Sequence, residues 1–110
     1  MQLGRGSIVT VAMQGDFGKP CPALVVQADQ FEALSSVTVL LITSTHIEAP
    51  MLRVPIAASV GNGLAAASQI MVDKAMTIRR DKIGMVIGQV EVNVMVKVEL
   101  CLAVFLGIVK

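Results

Sequence analysis

Ser7 to Met13 reads S-I-V-T-V-A-M. Ile8, Thr10 and Ala12 fall on one side of an extended chain, Val9, Val11 and Met13 on the other. With this β-branched content the pattern predicts a strand buried on both faces. Gln14 to Pro22 then brings two glycines, two prolines and an aspartate, which predicts a loop. Ala23 to Gln27 reads as a second strand. Asp29 to Leu34, with an aspartate in a cap position and Phe31 and Leu34 three apart, suits one helical turn. Val37 to Thr43 is the strongest strand pattern in the chain, and Ser44 to Pro50 leaves it as a polar loop. Met51 to Ile56 reads as an edge strand, because Pro55 cannot donate to a central ladder.

Gly61-Asn62-Gly63 predicts a turn. Ser68 to Val72 predicts a further strand, resuming at Met76 to Ile78 past a break at Asp73-Lys74. Arg79 to Lys82 reads as a charged loop. From Glu91 to Glu99 polar residues fall at 91, 93, 97 and 99 and valines fill 92, 94, 96 and 98. That period of two predicts a strand. Leu100 to Leu106 is apolar on every side.

Composition adds one constraint. Of 110 residues 55% are apolar, 15% charged and 3% aromatic, with a mean hydropathy of +0.76. The length suits one domain, and such apolarity excludes a disordered chain. A domain this small cannot hide that much apolar surface internally. It either enters a membrane or covers a face with a partner. The longest apolar run, Leu100 to Leu106 continuing to Val109, is about half the roughly 20 residues a spanning helix needs. Met1 to Thr10 lacks a signal-peptide core. The expectation is a soluble, cytoplasmic protein that self-associates and makes no use of a membrane. Nine basic and eight acidic residues give a net charge of +1, so nucleic-acid contact would need a local patch. Cys21 and Cys101 are too few for a disulfide scaffold. One histidine and no paired cysteines leave no zinc pattern and imply no metal or other cofactor.

Five blocks carry a resemblance: R-G-S-I-V-T-V (Arg5–Val11), G-D-F-G-K-P-x-P-A-L-V-V (Gly15–Val26), L-I-T-S (Leu41–Ser44), S-Q-I-M-V-D-K (Ser68–Lys74) and A-V-F-L-G (Ala103–Gly107). In order and at this spacing, over nearly the whole chain, they resemble the MazF/PemK family of bacterial toxin–antitoxin toxins. The resemblance implies one domain over residues 1–110. It implies the MazF/PemK/CcdB-like fold, a mainly β, SH3-like, barrel-like curved antiparallel sheet with a short helix and a C-terminal α-helix. That last element replaces the strand expected over residues 91–99, with Asn93 as its cap. Members of the family are homodimers that cut single-stranded RNA at short sequences without a metal. A cognate antitoxin silences them by laying a tail over the RNA groove, and operator DNA can be a further partner of the complex.

Metal-free RNA cleavage uses the adjacent 2′-hydroxyl as nucleophile. It needs a proton acceptor, stabilisation of the phosphorane and a proton for the 5′-oxygen. The resemblance implies central work for an arginine after the loop's Lys-Pro pair, aided by a threonine closing the third strand. Those positions hold Cys21 and Thr43 here, with Ser44 beside Thr43. A thiol does not replace a forked, permanent cation. Gln14, Phe17, Lys19, His46, Gln69, Asp73 and Lys74 are the candidate RNA contacts, Phe17 as the stacking ring. Arg79 and Arg80 are further phosphate candidates. Ala65-Ala66-Ala67 stands where relatives carry phosphate-holding arginines.

Each residue also has a plain reading. Cys21 suits a tight loop, Thr43 a strand, His46 and Lys19 a solvated surface, Asp73 a turn and Arg79-Arg80 a charged face. Three functions therefore compete. The first is a sequence-specific endoribonuclease toxin. The second is a cleavage-impaired toxin that still dimerises and binds antitoxin and nucleic acid. The third is a hydrolase built on Cys21 and His46.

Overall fold

The computed structural model describes residues 3–12 and 19–110. Six strands, β1 (Ser7–Ala12), β2 (Pro20–Val25), β3 (Ser36–Thr43), β4 (Arg53–Ile56), β5 (Ser68–Arg79) and β6 (Ile83–Gln89), precede one helix, α1 (Val92–Phe105). The strands form one antiparallel sheet in the order β4-β5-β3-β2-β1-β6. Short 3-10 turns occupy Asp29–Phe31 and Arg80–Lys82. Asp29 does not cap its own turn; its carboxylate accepts the Arg5 N–H at 2.7 Å.

Alternation gives the sheet two apolar faces. Ile8, Leu24, Leu40, Ile42, Val54, Ile56, Ile70 and Val72 pack beneath α1. Val9, Val11, Ala23, Val25, Val37 and Val39 form a second cluster, against which Met76, Ile78, Ile83 and Val86 pack. Ile70 and Val72 belong to the first cluster, while Met76 and Ile78, of the same parity, join the second. The strand therefore turns over between them. The pairing records the turn: Ile42 faces Ile70, yet Leu40 faces Ala75. Two residues of β3 span five of β5, so residues 71–74 bulge and bend the sheet. The break expected at Asp73-Lys74 is thus a bend within one 12-residue strand.

Two further expectations are corrected. β6 was not foreseen, because Gly84 and Gly88 dilute its pattern. A Cβ on Gly88 would lie 2.3 Å from the Asn62 carbonyl carbon, so close packing demands glycine there. The strand read from the period of two over residues 91–99 is instead the start of α1. Val98 and Cys101 are buried and Val94, Met95 and Leu102 pack with them, a spacing of three to four that fits only a helix. Burial overrides the poor helix propensity of valine. The extended residue before the helix is Glu91, not Asn93, and Gly107 at φ 75 closes the other end. The expected edge strand with Pro55 is observed as β4. Among the described residues no helix is long and apolar enough to cross a membrane.

Candidate functional site

Pro20 and Pro22 lie in β2, which begins three residues earlier than the pattern suggested. Both prolines pair with β1, opposite Ala12 and Thr10. Pairing with β3 ends at Ala23 and Leu41, although β3 runs on to Thr43. A residue without an N–H cannot extend that ladder. The two strands fork, and the fork is a groove of about 390 Å³ lined on one side by Lys19, Pro20, Cys21 and Pro22 and on the other by Thr43 and Ser44. Leu64, Ala65 and Ala66 form its remaining wall.

The structure thus brings Lys19, Cys21, Thr43 and Ser44 together. Thr43 and Cys21 are half-buried, Ser44 and Lys19 exposed. Thr43 Oγ1 accepts the Thr45 N–H at 3.1 Å, which fixes the rotamer and leaves the hydroxyl proton for another acceptor. Among the described residues lining the groove, Lys19 is the one cation and there is no carboxylate. Cys21 and Cys101 are not bridged to each other. Gln14 and Phe17 lie outside the described residues.

Other candidates sit around this groove. His46, in the loop after β3, has Nε2 3.2 Å from the Ala67 carbonyl and does not line the groove itself. A carbonyl only accepts, so that nitrogen carries the proton. Gln69 stands opposite Thr43 in the ladder, but its amide is occupied: Oε1 accepts the Ile47 N–H at 3.2 Å and Nε2 donates to the Ile47 carbonyl at 3.0 Å. It ties down the loop between β3 and β4. Asp73 is on the β5 bend, its carboxylate paired with Arg53, and Lys74 Nζ lies 4.0 Å away. Neither lines the groove. Arg79 pairs with Asp81, and Arg80 Nε donates to the Leu34 carbonyl at 2.6 Å, so both hold local turns.

Sequence reading missed two things. One is a second cleft of about 260 Å³ between the β3–β4 loop and the sheet edge, where Glu48, Arg53 and Lys97 gather. The local hint is an arginine two residues before the edge proline. The other is the support of the groove wall. Leu64 N–H donates to Asn62 Oδ1 at 3.0 Å. Asn62 Nδ2 reaches Glu91, to which Ser59 Oγ also donates at 2.7 Å. The Ser59 hydroxyl, then Asn62, hold the Glu91 carboxyl below its usual range against some loss of hydration.

Comparison with known proteins gives the family and the fold. The family model for the PemK-like, MazF-like toxin of type II toxin-antitoxin system matches residues 4–106. The chain is 40% identical over 105 residues to a probable endoribonuclease MazF of Mycolicibacterium smegmatis, covering 94% of this chain and 96% of that one. A mycobacterial endoribonuclease solved with its cognate antitoxin superposes with a TM-score of 0.80 at 22% identity, over 99% of both chains. The Mycobacterium tuberculosis toxin MazF-mt6 does so at 0.79 and 24%, over 92% of this chain and 96% of that one. At such identities the two structures speak for the fold, while the family match and the 40% identical relative speak for kinship. The chain belongs to the PemK-like, MazF-like toxins of type II toxin–antitoxin systems.

Proposed function

We propose that this MazF-like endoribonuclease cleaves single-stranded RNA in the fork between β2 and β3, by a route that needs no metal. The observation that carries the reading is the convergence of the Lys19–Pro22 segment with Thr43 and Ser44 on one open groove. The RNA 2′-oxygen attacks the neighbouring phosphorus, a new 2′-O–P bond forms and the 5′-oxygen leaves, giving a cyclic phosphate and a 5′-hydroxyl. Lys19 balances charge on the phosphate. Thr43 and Ser44 donate to its non-bridging oxygens as charge builds there. His46, whose Nε2 is held to the Ala67 carbonyl, is assigned to take the 2′-hydroxyl proton on its other ring nitrogen and to return it to the leaving 5′-oxygen. Cys21 occupies the position at which the family holds an arginine, so this groove works with less positive charge than that pattern supplies.

Partners follow from the same reading. An antitoxin covers the groove, as its relative's cognate antitoxin accompanies the mycobacterial enzyme. Operator DNA is a partner of the toxin–antitoxin complex, and the site of action is the cytoplasm, where messenger RNA is exposed. A homodimer is supported by α1. Val92, Val96, Leu100 and Val104 recur every fourth residue along the helix and are exposed, Val92 by 81% and Leu100 by 64%, and Ile108 just past its end is exposed too. Such a ladder on a water-facing helix favours self-association. Incubating the protein with a long RNA in EDTA tests the reading. Cleavage that Thr43→Val suppresses supports it. Binding of RNA without cleavage favours the impaired-toxin alternative.

A further inference from the structure

The second cleft shares a row with the cleavage groove. Thr43, Gln69 and Pro55 are successive partners across β3, β5 and β4, so their side chains lie on one face, neighbours spaced about 5 Å apart. Gln69 is buried under the β3–β4 loop, so an RNA strand with a phosphate at Thr43 that passes over this loop delivers an adjoining nucleotide to the cleft beyond. The cleft's volume of about 260 Å³ accommodates a nucleobase.

Its lining suits a base better than a phosphate. Pro50, Pro55 and Ile47 offer apolar surfaces for the ring faces. Arg53 is already neutralised by Asp73, so the cleft is not a simple anion site. Glu48 and Lys97 remain at its mouth, both exposed. The loop bearing Glu48 is pre-set, since Gln69 clamps both backbone groups of Ile47 and His46 is held to Ala67. A carboxylate and an ammonium group lining one cleft can read an edge with adjacent donors next to an acceptor. Guanine presents that edge: N1–H and N2–H toward the carboxylate, O6 toward the lysine.

Resting on the endoribonuclease reading, we propose that this cleft is a guanine subsite for a nucleotide neighbouring the cut, with Glu48 and Lys97 as its specificity-determining residues. Because Gln69 spends its amide on the loop, it acts as a positioning residue rather than a base reader.

The test uses the full chain and three measurements. Cut sites in a randomised RNA pool are sequenced. Cleavage rates are compared on the preferred sequence with guanine or inosine at the assigned position. Binding of a 2′-O-methyl copy, which cannot be cut, is followed separately. The expected result is guanine enrichment at one position near the cut. Inosine, which lacks the 2-amino group, should lower kcat/KM roughly tenfold in the wild type and have no further effect in Glu48→Ala. The inosine comparison needs no mutation, so a poorly folding variant does not spoil it. RNA that is cut with no guanine preference, or with cytosine enrichment instead, overturns the subsite and leaves the nuclease reading standing; a wild type that binds the 2′-O-methyl copy but never cuts RNA overturns the nuclease reading. A chain that neither cuts nor binds RNA overturns both.

Discussion

Asn62 and Glu91 are 29 residues apart in sequence and joined in space: Asn62 Nδ2 donates to the two carboxylate oxygens of Glu91 at 3.2 and 3.3 Å. Asn62 is fully buried. Its Nδ2 also reaches the Ala57 carbonyl at 2.8 Å, and its Oδ1 accepts from Ser59 and Leu64. One side chain thereby closes the turn over residues 59–63, fixes the start of the groove wall and anchors the residue before α1. Asn62→Ala strands several buried groups at once. It should destabilise the fold by about 2–4 kcal/mol in urea titration and lower RNA cleavage, since Leu64 loses its anchor.

Glu91, held first by the Ser59 hydroxyl and then by Asn62, makes stability depend on pH. The folded-state pKa of Glu91 is lowered from the ordinary carboxylate value of 4.5. Its stabilising contribution is therefore complete above that value and fades as pH falls through the lower folded pKa. Urea midpoints measured from about pH 6 to about pH 3 should drop less steeply in Glu91→Gln than in the wild type. Equal slopes would show that the carboxylate does not hold these hydrogen bonds.

Two glycines with similar backbones should respond differently to a methyl group. Gly63 has φ +73, and a Cβ there would stand 2.1 Å from the Ile87 carbonyl oxygen; Gly107 has φ +75 with nothing within 4 Å. Gly107→Ala adds only conformational strain, about 1 kcal/mol. Gly63→Ala adds a clash with the β6 backbone that the tightly bonded turn cannot relieve, and should cost more than about 3 kcal/mol or abolish folding. Thermal melts of the two variants make the comparison.

Leu100 lies at the middle of the exposed ladder on α1. Leu100→Glu places a charge in the proposed dimer face without touching the core. Light scattering should move from about twice the 11.6 kDa chain mass to the monomer value, with circular dichroism unchanged. A wild type that is monomeric at micromolar concentration would remove α1 as a self-association surface.

What the sequence revealed and what it hid have physical causes. Apolar, β-branched runs exposed β1 and β3, which are buried on both faces, and Pro55 marked β4 as an edge strand. It failed at β6, where tight packing against Asn62 requires Gly88 in place of an apolar side chain. It misled at residues 91–99, where valines recurring every second position mimic a strand, while the contacts of Val94, Val98 and Cys101 set the true period. Family motifs located Cys21 and Thr43, and the structure explains their meeting by the prolines that stop β2 from pairing further. Gln69 and Asp73 were legible as unusual residues, but not as a loop clamp and an Arg53 partner, because those contacts join distant segments.

The most direct measurement is the rate and end chemistry of RNA cleavage in EDTA by the wild type, Thr43→Val and Cys21→Arg. The account predicts cyclic-phosphate and 5′-hydroxyl ends, a loss of about a hundredfold in Thr43→Val and a gain of at least about tenfold in Cys21→Arg, all without loss of fold. Cleavage at full rate by Thr43→Val, or activity that EDTA abolishes, would contradict it.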